Sequence, residues 1–319
     1  MKSLNGVARL ILAGVLASGL ACSKPAGTTG NNGQTPPPRA NDVPGTASAE
    51  TAASSSAAPA PAPVVDAGDI LKFMPATCAY NRVYMNVTSL LRDGGGASVD
   101  RILSRLMPTA SERYQAAFQV LSAAGVKPLA DLQELAVCTN DDNFVLVLRY
   151  EAKPPSPARA FAKAFLALQA DSGYQLVGVG DNVVVISTDR AVADAAAKGP
   201  GPAPEFADAK KHVVWGKSRE NDVELTVDEV GSDYEIRWRE KASKTAKADA
   251  ERKLDTRKNQ ASSDSPLHPL QPALKSAKVT VAGGKVTITM KLATSALTAL
   301  FAEVDKAPIE LTENLVLLF

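Results

Sequence analysis

The chain is poor in the residues that most often build catalytic centres or stacking platforms. Aromatic residues make up 5% of its 319 residues, and it has two histidines. Few aromatics argue against a surface on which sugars or bases stack. Zinc sites need three or four Cys, His, Asp or Glu ligands at short spacing, and neither His212 nor His268 has such neighbours. The sequence therefore predicts no metal site and no cofactor.

An excess of charge of one sign is also missing. The chain has 35 Lys and Arg against 34 Asp and Glu, a formal net charge of +1. A balanced surface gives no general electrostatic reason to bind a polyanion such as DNA or RNA. We therefore expect no nucleic acid among its partners.

The familiar catalytic motifs fail on inspection. Trp215-Gly-Lys-Ser218 ends like a phosphate-binding loop, but Lys211 stands where that motif needs its first glycine. Gly178-Val-Gly-Asp-Asn-Val183 lacks the last glycine of the dinucleotide pattern. No Gly-x-Ser-x-Gly elbow occurs. The prediction is that the protein is not an enzyme, and the alternative is an enzyme whose acid–base residues come from distant segments.

Long hydrophobic runs are absent too. The run at Leu10–Leu20 follows the positive charges of Lys2 and Arg9. It is too short for a hydrocarbon core of about 30 Å, which a helix of roughly 20 residues spans. Positive charge followed by a short apolar run and small residues is typical of an export signal, so residues 1–21 are predicted to be a signal peptide.

Directly after this run stands Gly19-Leu20-Ala21-Cys22, which resembles the lipobox of bacterial lipoprotein precursors. The resemblance implies that the Cys22 sulfur receives diacylglycerol and that the acylated chain, palmitate included, anchors the protein in a lipid bilayer. In that family Leu usually stands three residues before the Cys, and here Leu20 stands two before. The alternative is an ordinary secretory signal with Cys22 incidental. Ser23, in place of an Asp, favours the outer membrane, facing the periplasm.

Residues 22–67 are almost entirely Ala, Pro, Gly, Ser, Thr and Asn. Such a segment cannot bury enough apolar surface to offset the entropy of ordering. We expect a lipid-anchored disordered tether, semi-stiff where proline is frequent, whose roughly 45 residues extend to about 140 Å at most.

Apart from Cys22, two cysteines remain, Cys78 and Cys138. In an exported protein an even pair is most simply a disulfide. It would close a loop of about 60 residues and add roughly 4 kcal/mol in the chain-entropy model. The two Cα atoms must then lie within about 7 Å, which some strand orders would forbid.

The body is predicted to be α+β, built from two tandem units, 68–200 and 205–319. Each unit has the same order of elements: a strand, a hairpin, a helix, a second hairpin and a helix. This order predicts antiparallel sheets with helices packed on one face. In the second unit Val223, Leu225 and Val227 alternate with polar residues, as do the residues about Gly283-Gly284. Gly94-Gly-Gly96 predicts a flexible joint before a helix capped by Ser98.

The body also resembles uncharacterised lipoproteins of myxobacterial type, whose Leu-Pro-Ala opening is similar to Met74-Pro75-Ala76. That resemblance implies no activity.

Residues 239–263 are rich in Lys and Arg with interspersed acids, and their apolar residues are almost all Ala. One interpretation is a solvated helix with charge pairs along its surface. The other is a basic arm for an acidic partner, a lipid headgroup or peptidoglycan.

These observations favour a membrane-anchored cell-envelope lipoprotein that acts as a non-enzymatic binding or scaffolding module for an unknown envelope protein or ligand. The alternative is a carrier or sensor of a small apolar ligand, held in a groove between sheet and helices and lined by Phe161 and Phe165.

Overall fold

The computed structural model describes the folded body of the chain. The described residues are 66–75, 78, 80–92, 95–106, 112–140, 143–172, 175–201, 204–219, 222–243, 245–263 and 265–306. The predicted signal peptide, Cys22 and the tether as far as residue 65 lie outside them, and what was predicted for those residues stays a prediction.

Ten strands of the described residues form one antiparallel sheet in the order β4-β5-β3-β2-β1-β6-β7-β8-β10-β9. Their bounds are β1 Asn81–Asn86, β2 Leu132–Thr139, β3 Phe144–Tyr150, β4 Gln175–Val179, β5 Val183–Ser187, β6 Val214–Ser218, β7 Val223–Val230, β8 Asp233–Lys241, β9 Lys278–Ala282 and β10 Lys285–Leu292.

The two halves of this sheet have the same topology. From the middle of the sheet outward, the strands of the first half lie in the order β1-β2-β3-β5-β4. The strands of the second half lie in the matching order β6-β7-β8-β10-β9. The halves meet where β1 pairs with β6, antiparallel, with Val83 opposite Gly216. The predicted fold class, α+β with two tandem antiparallel units, is therefore confirmed, and the two units share one continuous sheet.

Eight helices are seen in the described ranges. They are α1 Val87–Leu90, α2 Gly95–Leu106, α3 Glu112–Ala123, α4 Pro157–Ser172, α5 Arg190–Ala197, α6 Ala246–Gln260, α7 Gln271–Ser276 and α8 Thr294–Lys306. Short 3-10 turns lie at Ile70–Phe73, Pro204–Phe206, Ala209–Lys211 and His268–Leu270.

The sheet has two faces with different covers, which we call the front and back faces. The front face carries Val83, Leu135 and Leu146, and helices cover it in both halves, as predicted; the buried helical residues there include Leu121 of α3, Phe165 of α4 and Ala273 of α7. Among the described elements, those over the first half cover the back face and none covers it in the second half; α5 contributes Ala196 to the apolar cluster there. The reason lies in the sequence: β3 buries Val145 to Leu148 without alternation, whereas β7 and β8 alternate, so one of their faces is polar.

Of the joint predicted at Gly94-Gly-Gly96, Gly94 lies outside the described residues, and Gly95 and Gly96 begin α2, which starts three residues before Ser98. A Cβ built on Gly96 would lie 2.9 Å from the Cα of Ala130. Gly96 therefore lets the first turn of α2 approach the loop before β2 at a distance that no side chain would permit. The glycine serves packing rather than flexibility.

The basic segment 239–263 divides into two elements. Arg239 and Lys241 belong to the end of β8, and α6 follows. Helix α6 buries Ala246, Ala250 and Leu254, spaced by four residues along one stripe. Its remaining surface carries pairs such as Lys247–Glu251 and Lys258–Asp255, which is the arrangement of a solvated helix lying on the front face.

Candidate functional site: the back face of the sheet

In the first half the back face is closed by the residues with which the described part of the chain begins. Residues 66–74 lie across β2 and β3, α5 lies across β3 to β5, and the 3-10 turn at Ala209–Lys211 contacts β1 and β6. Together they bury one apolar cluster, whose larger members are Ile70, Phe73, Met74, Tyr84, Val147, Phe206 and Trp215.

A charged network lies within this covered region. The Tyr84 hydroxyl donates to Glu134 at 2.6 Å, and the Arg149 guanidinium donates to the same carboxylate at 2.9 Å. Lys210 Nζ lies 3.4 Å from it, and the Glu134 side chain is only 10% exposed. Burial and the bond to Glu134 raise the pKa of the Tyr84 hydroxyl well above its usual value. One carboxylate thus holds side chains from β1, β3 and the segment before β6.

The point where the chain enters the fold is fixed by Asn182. Its amide oxygen accepts a bond of 3.0 Å from the Ala67 N–H, and its amide nitrogen donates to Asp66 at 3.0 Å. The backbone N–H of Gly68 also donates to Asp66, and this bond, followed by the one from Asn182, lowers the pKa of that carboxyl group. Since Asn182 is fully buried, the entry point is part of the folded structure.

The two body cysteines meet at the other end of β3 from this entry point, since Cys138 pairs with Val145 whereas Asn182 bonds to Tyr150. Cys78 and Cys138 form a disulfide with a Cα–Cα distance of 5.5 Å and a sequence separation of 60. Both residues are buried. Arg82, opposite Cys138 in the β1–β2 pair, donates to the Cys78 carbonyl oxygen at 3.1 Å.

In the second half no helix of the described residues joins a hydrophobic cluster on the back face. Register places an array of polar side chains there. Its members are Lys217, Glu224, Thr226, Asp228, Glu235, Arg237, Arg239, Lys241, Lys278, Thr280, Lys285, Thr287, Thr289 and Lys291. This set is called the open face below.

Near the middle of the sheet the charges of the open face are paired. Arg237 contacts Glu235 and lies 3.5 Å from Asp228, and Arg239 lies 3.4 Å from Glu224. His212 Nδ1 contacts Asp228 as well. No local pattern in the sequence predicts this last contact, which joins residues 16 positions apart.

Toward the outer edge the charges are all positive. No ion pair within the described residues involves Lys241, Lys278, Lys285 or Lys291. Lys241 stands directly opposite Lys285, a placement of like charges that costs stability in a sheet. The outer part of the open face therefore attracts anions.

The other residues named from the sequence lie elsewhere. Phe165 is buried under the sheet, and the Phe161 ring packs 4.8 Å from that of Tyr150, so both fill the layer where an apolar groove was expected. His268 is exposed in a 3-10 turn. In the described part of the chain, no group of three potential metal ligands occurs. No helix there is long and apolar enough to cross a bilayer.

Comparisons with known proteins add little. No family model matches the chain, and no curated protein matches it. A solved structure described as "Structure of crystal form I of TP0453" is similar with a TM-score of 0.38 and 10% identity, covering 74% of this chain and 97% of that chain. A likeness at this level carries no argument about fold or function.

Proposed function

We propose that the chain is a lipid-anchored cell-envelope protein whose body is a non-enzymatic binding or scaffolding module. Cys22 carries the acyl chains, the tether holds the body away from the bilayer, and the open face receives the partner. The proposed place is the outer membrane, facing the periplasm.

One observation carries the binding role: the two halves of the sheet share a topology but differ in their cover. The first half closes its back face with an apolar cluster, whereas the corresponding face of the second half is lined by charged and hydroxyl side chains. A polar sheet face that none of the described elements covers is compatible with water, but like charges set opposite each other, as in Lys241 and Lys285, weaken the fold. That cost is understandable if the surface binds an anionic group.

Binding is tested by capture of the full-length, tethered protein from native envelopes after crosslinking, followed by mass spectrometry. The informative variant is Arg239→Glu with Thr287→Glu, which reverses the charge at the centre of the open face. The matched control is Arg190→Glu, an exposed cation of α5 outside the open face. If the open face holds the partner, the wild type and the control should capture it and the double variant should not. Equal capture by all three proteins would show that the open face is not the binding surface.

The anchor is tested separately with radiolabelled palmitate. Wild-type protein should take up label, and Cys22→Ser should not. Recovery of a soluble mature protein with an unmodified N-terminus at another residue would overturn the anchor.

The carrier hypothesis has no specific observation in its favour, because Phe161 and Phe165 pack against neighbouring side chains. The binding module is therefore the better supported proposal.

A further inference from the structure

The two outer edges of the sheet are protected to different degrees. At one edge, β4 has α4 on its front and α5 on its back, and Gly178 packs against Ala158 of α4. At the other edge, β9 has α6 on its front, and nothing among the described elements covers its back. An edge strand that is neither covered nor interrupted by proline or a bulge is a template for another strand.

Hairpin geometry shows which backbone groups this edge presents. The turn between β9 and β10 consists of Gly283 and Gly284, both with positive φ, 57° and 72°. In a two-residue hairpin the residues flanking the turn exchange both hydrogen bonds, and the pattern then alternates. Ala282 and Thr280 therefore bond to β10, and the N–H and C=O groups of Val279 and Val281 point outward along the edge.

The side chains of this edge alternate between apolar and basic. Val281, on the front face, is 50% exposed, unlike nearly all the other large apolar residues described. On the back face, Lys278 and Thr280 of β9 stand beside Thr287 and Thr289 of β10. Strands β9 and β10 contain three lysines and no acidic residue.

Charge is positive on the front side of the edge as well. Helix α6 contacts β9 and carries five Lys or Arg against three acidic residues. The basic segment singled out from the sequence thus lies next to the free edge, with Arg239 and Lys241 on the back and α6 on the front.

We propose that β9 binds an extended acidic segment of a partner protein, which adds to the sheet as a further strand. The main chain of that segment bonds to Val279 and Val281. Its carboxylates lie on the back face near Lys278 and Lys285, and its apolar side chains lie on the front face against Val281. Recognition by strand addition gives affinity through the backbone and selectivity through alternate side chains. This inference deepens the proposed binding role and rests on it.

The test uses the full-length protein in detergent micelles and an acetylated, amidated peptide of sequence Glu-Val-Glu-Val-Glu-Val-Glu. Binding is measured by fluorescence anisotropy of a labelled peptide. A peptide with Lys in place of every Glu should bind at least about tenfold more weakly, and binding of the acidic peptide should weaken as salt rises.

Backbone pairing has its own control, because N-methylation removes an N–H and blocks one side of a strand. Methylation of the alternate residues whose N–H groups face β9 should abolish binding, and methylation of the other set should leave it. Equal effects of the two methylated peptides would overturn strand addition.

Protein variants locate the site. Val281→Pro removes an outward N–H at an edge position where proline is tolerated and should reduce affinity by at least about tenfold. Lys278→Glu with Lys285→Glu tests the same edge without touching the backbone and should weaken binding to a similar extent. Arg190→Glu changes an exposed cation of α5, at the opposite edge of the sheet and outside the open face, and should bind like the wild type. All variants are compared by circular dichroism, and the double lysine variant decides if the proline variant fails to fold.

Three results would overturn the proposal. Binding unchanged in both edge variants rules out β9. Binding that appears only after deletion of residues 307–319 shows that the chain's own C-terminal segment occupies the edge. A dimer that is lost in Val281→Pro without any peptide assigns the edge to a second copy. If the peptide fails to bind while Cys22 is acylated, strand addition at β9 is wrong and the lipid anchor is supported. If the peptide binds while Cys22 is unmodified, the lipid anchor is wrong and strand addition at β9 is supported.

Discussion

At the scale of single residues, the back face owes its order to carboxylates that meet distant partners. Glu134 receives Tyr84, Arg149 and Lys210, residues separated by up to 126 positions in the chain. No local pattern in the sequence points to such a group, which is why the sequence analysis missed it. The even number of cysteines in the body was enough to propose the disulfide. The alternation of apolar and polar residues was enough to place the polar residues of β7 and β8 on one face of the sheet.

Removing the charge of Glu134 takes a mostly buried carboxylate away from Arg149 and Lys210, whose other ion pairs are with Asp66 and Asp69. We expect Glu134→Gln to lower the free energy of unfolding by about 1 to 2 kcal/mol, because hydrogen bonds to a charged group contribute more than those to a neutral one. Urea denaturation measures this. Glu303→Gln, which breaks an exposed pair with Lys306, is the control and should change stability by less than about 0.5 kcal/mol; an equal effect of both variants would show that Glu134 is not held as described.

Asp69 links stability to pH. Burial opposes ionisation of Asp69, but the bonds from Lys210 and from the Leu71 N–H outweigh it, so its pKa is lowered below the ordinary value of 3.8. A lowered pKa in the folded state stabilises the fold above the unfolded-state value, and this contribution is lost as pH falls through the folded-state value. Asp69→Asn should therefore be less stable than the wild type at neutral pH, and the difference should shrink as pH falls below the unfolded-state pKa and vanish once it has passed the lowered folded-state pKa.

The measurement is urea denaturation of both proteins across a pH series. Asp255→Asn, on exposed α6, controls for the loss of one surface carboxylate. A stability difference that persists in strong acid would mean that Asp69 acts through something other than its charge.

At the scale of elements, the sequence predicted the order of strands, hairpins and helices in each unit. Alternation indicated β7 and the hairpin of β9 and β10, and the glycine pair marked the turn of that hairpin, because these signals are local. The start of α2 was wrong, since glycine is a poor helix former and its local preference favours a break. Only the tertiary contact with Ala130 explains why helix begins there.

Gly96 should not tolerate a side chain. Gly96→Ala places a Cβ 2.9 Å from backbone at Ala130, so α2 must shift, and we expect a loss of about 1 to 3 kcal/mol in unfolding free energy. In Gly95→Ala the added Cβ would meet the Phe301 ring at 3.4 Å. That contact can relax, and the change should stay within about 1 kcal/mol. Thermal denaturation of the two variants distinguishes them, and equal behaviour would contradict the close approach.

At the scale of the whole molecule, the two halves have the same topology and are joined through the pairing of β1 with β6. The apolar residues at this junction are buried. Val83 of the first half and Val214 and Val227 of the second belong to the same front-face cluster. The sequence indicated two units by element order, but the pairing of β1 with β6 depends on contacts between residues 129 to 137 positions apart, so it could not be predicted.

Because the halves share a sheet and a cluster, we expect the body to unfold in one cooperative transition. Differential scanning calorimetry of the full-length protein should show one peak, with the calorimetric enthalpy equal to the van't Hoff enthalpy. Two resolved peaks would show that the halves are energetically independent.

The position of the disulfide determines how the protein resists a mechanical load. A pull on the N-terminal side of Asp66 reaches the fold first through the contacts of Asn182, and it peels residues 66–75 off the back face one contact at a time. Peeling stops at Cys78, because that residue is covalently bound to Cys138 in the interior of the sheet. The force then passes into β2, and β1 is spared. With the disulfide formed, we expect tension to detach about a dozen residues before Cys78 and no strand of the sheet. With the disulfide reduced, we expect unfolding to continue into β1 and then into the β1–β6 junction between the halves.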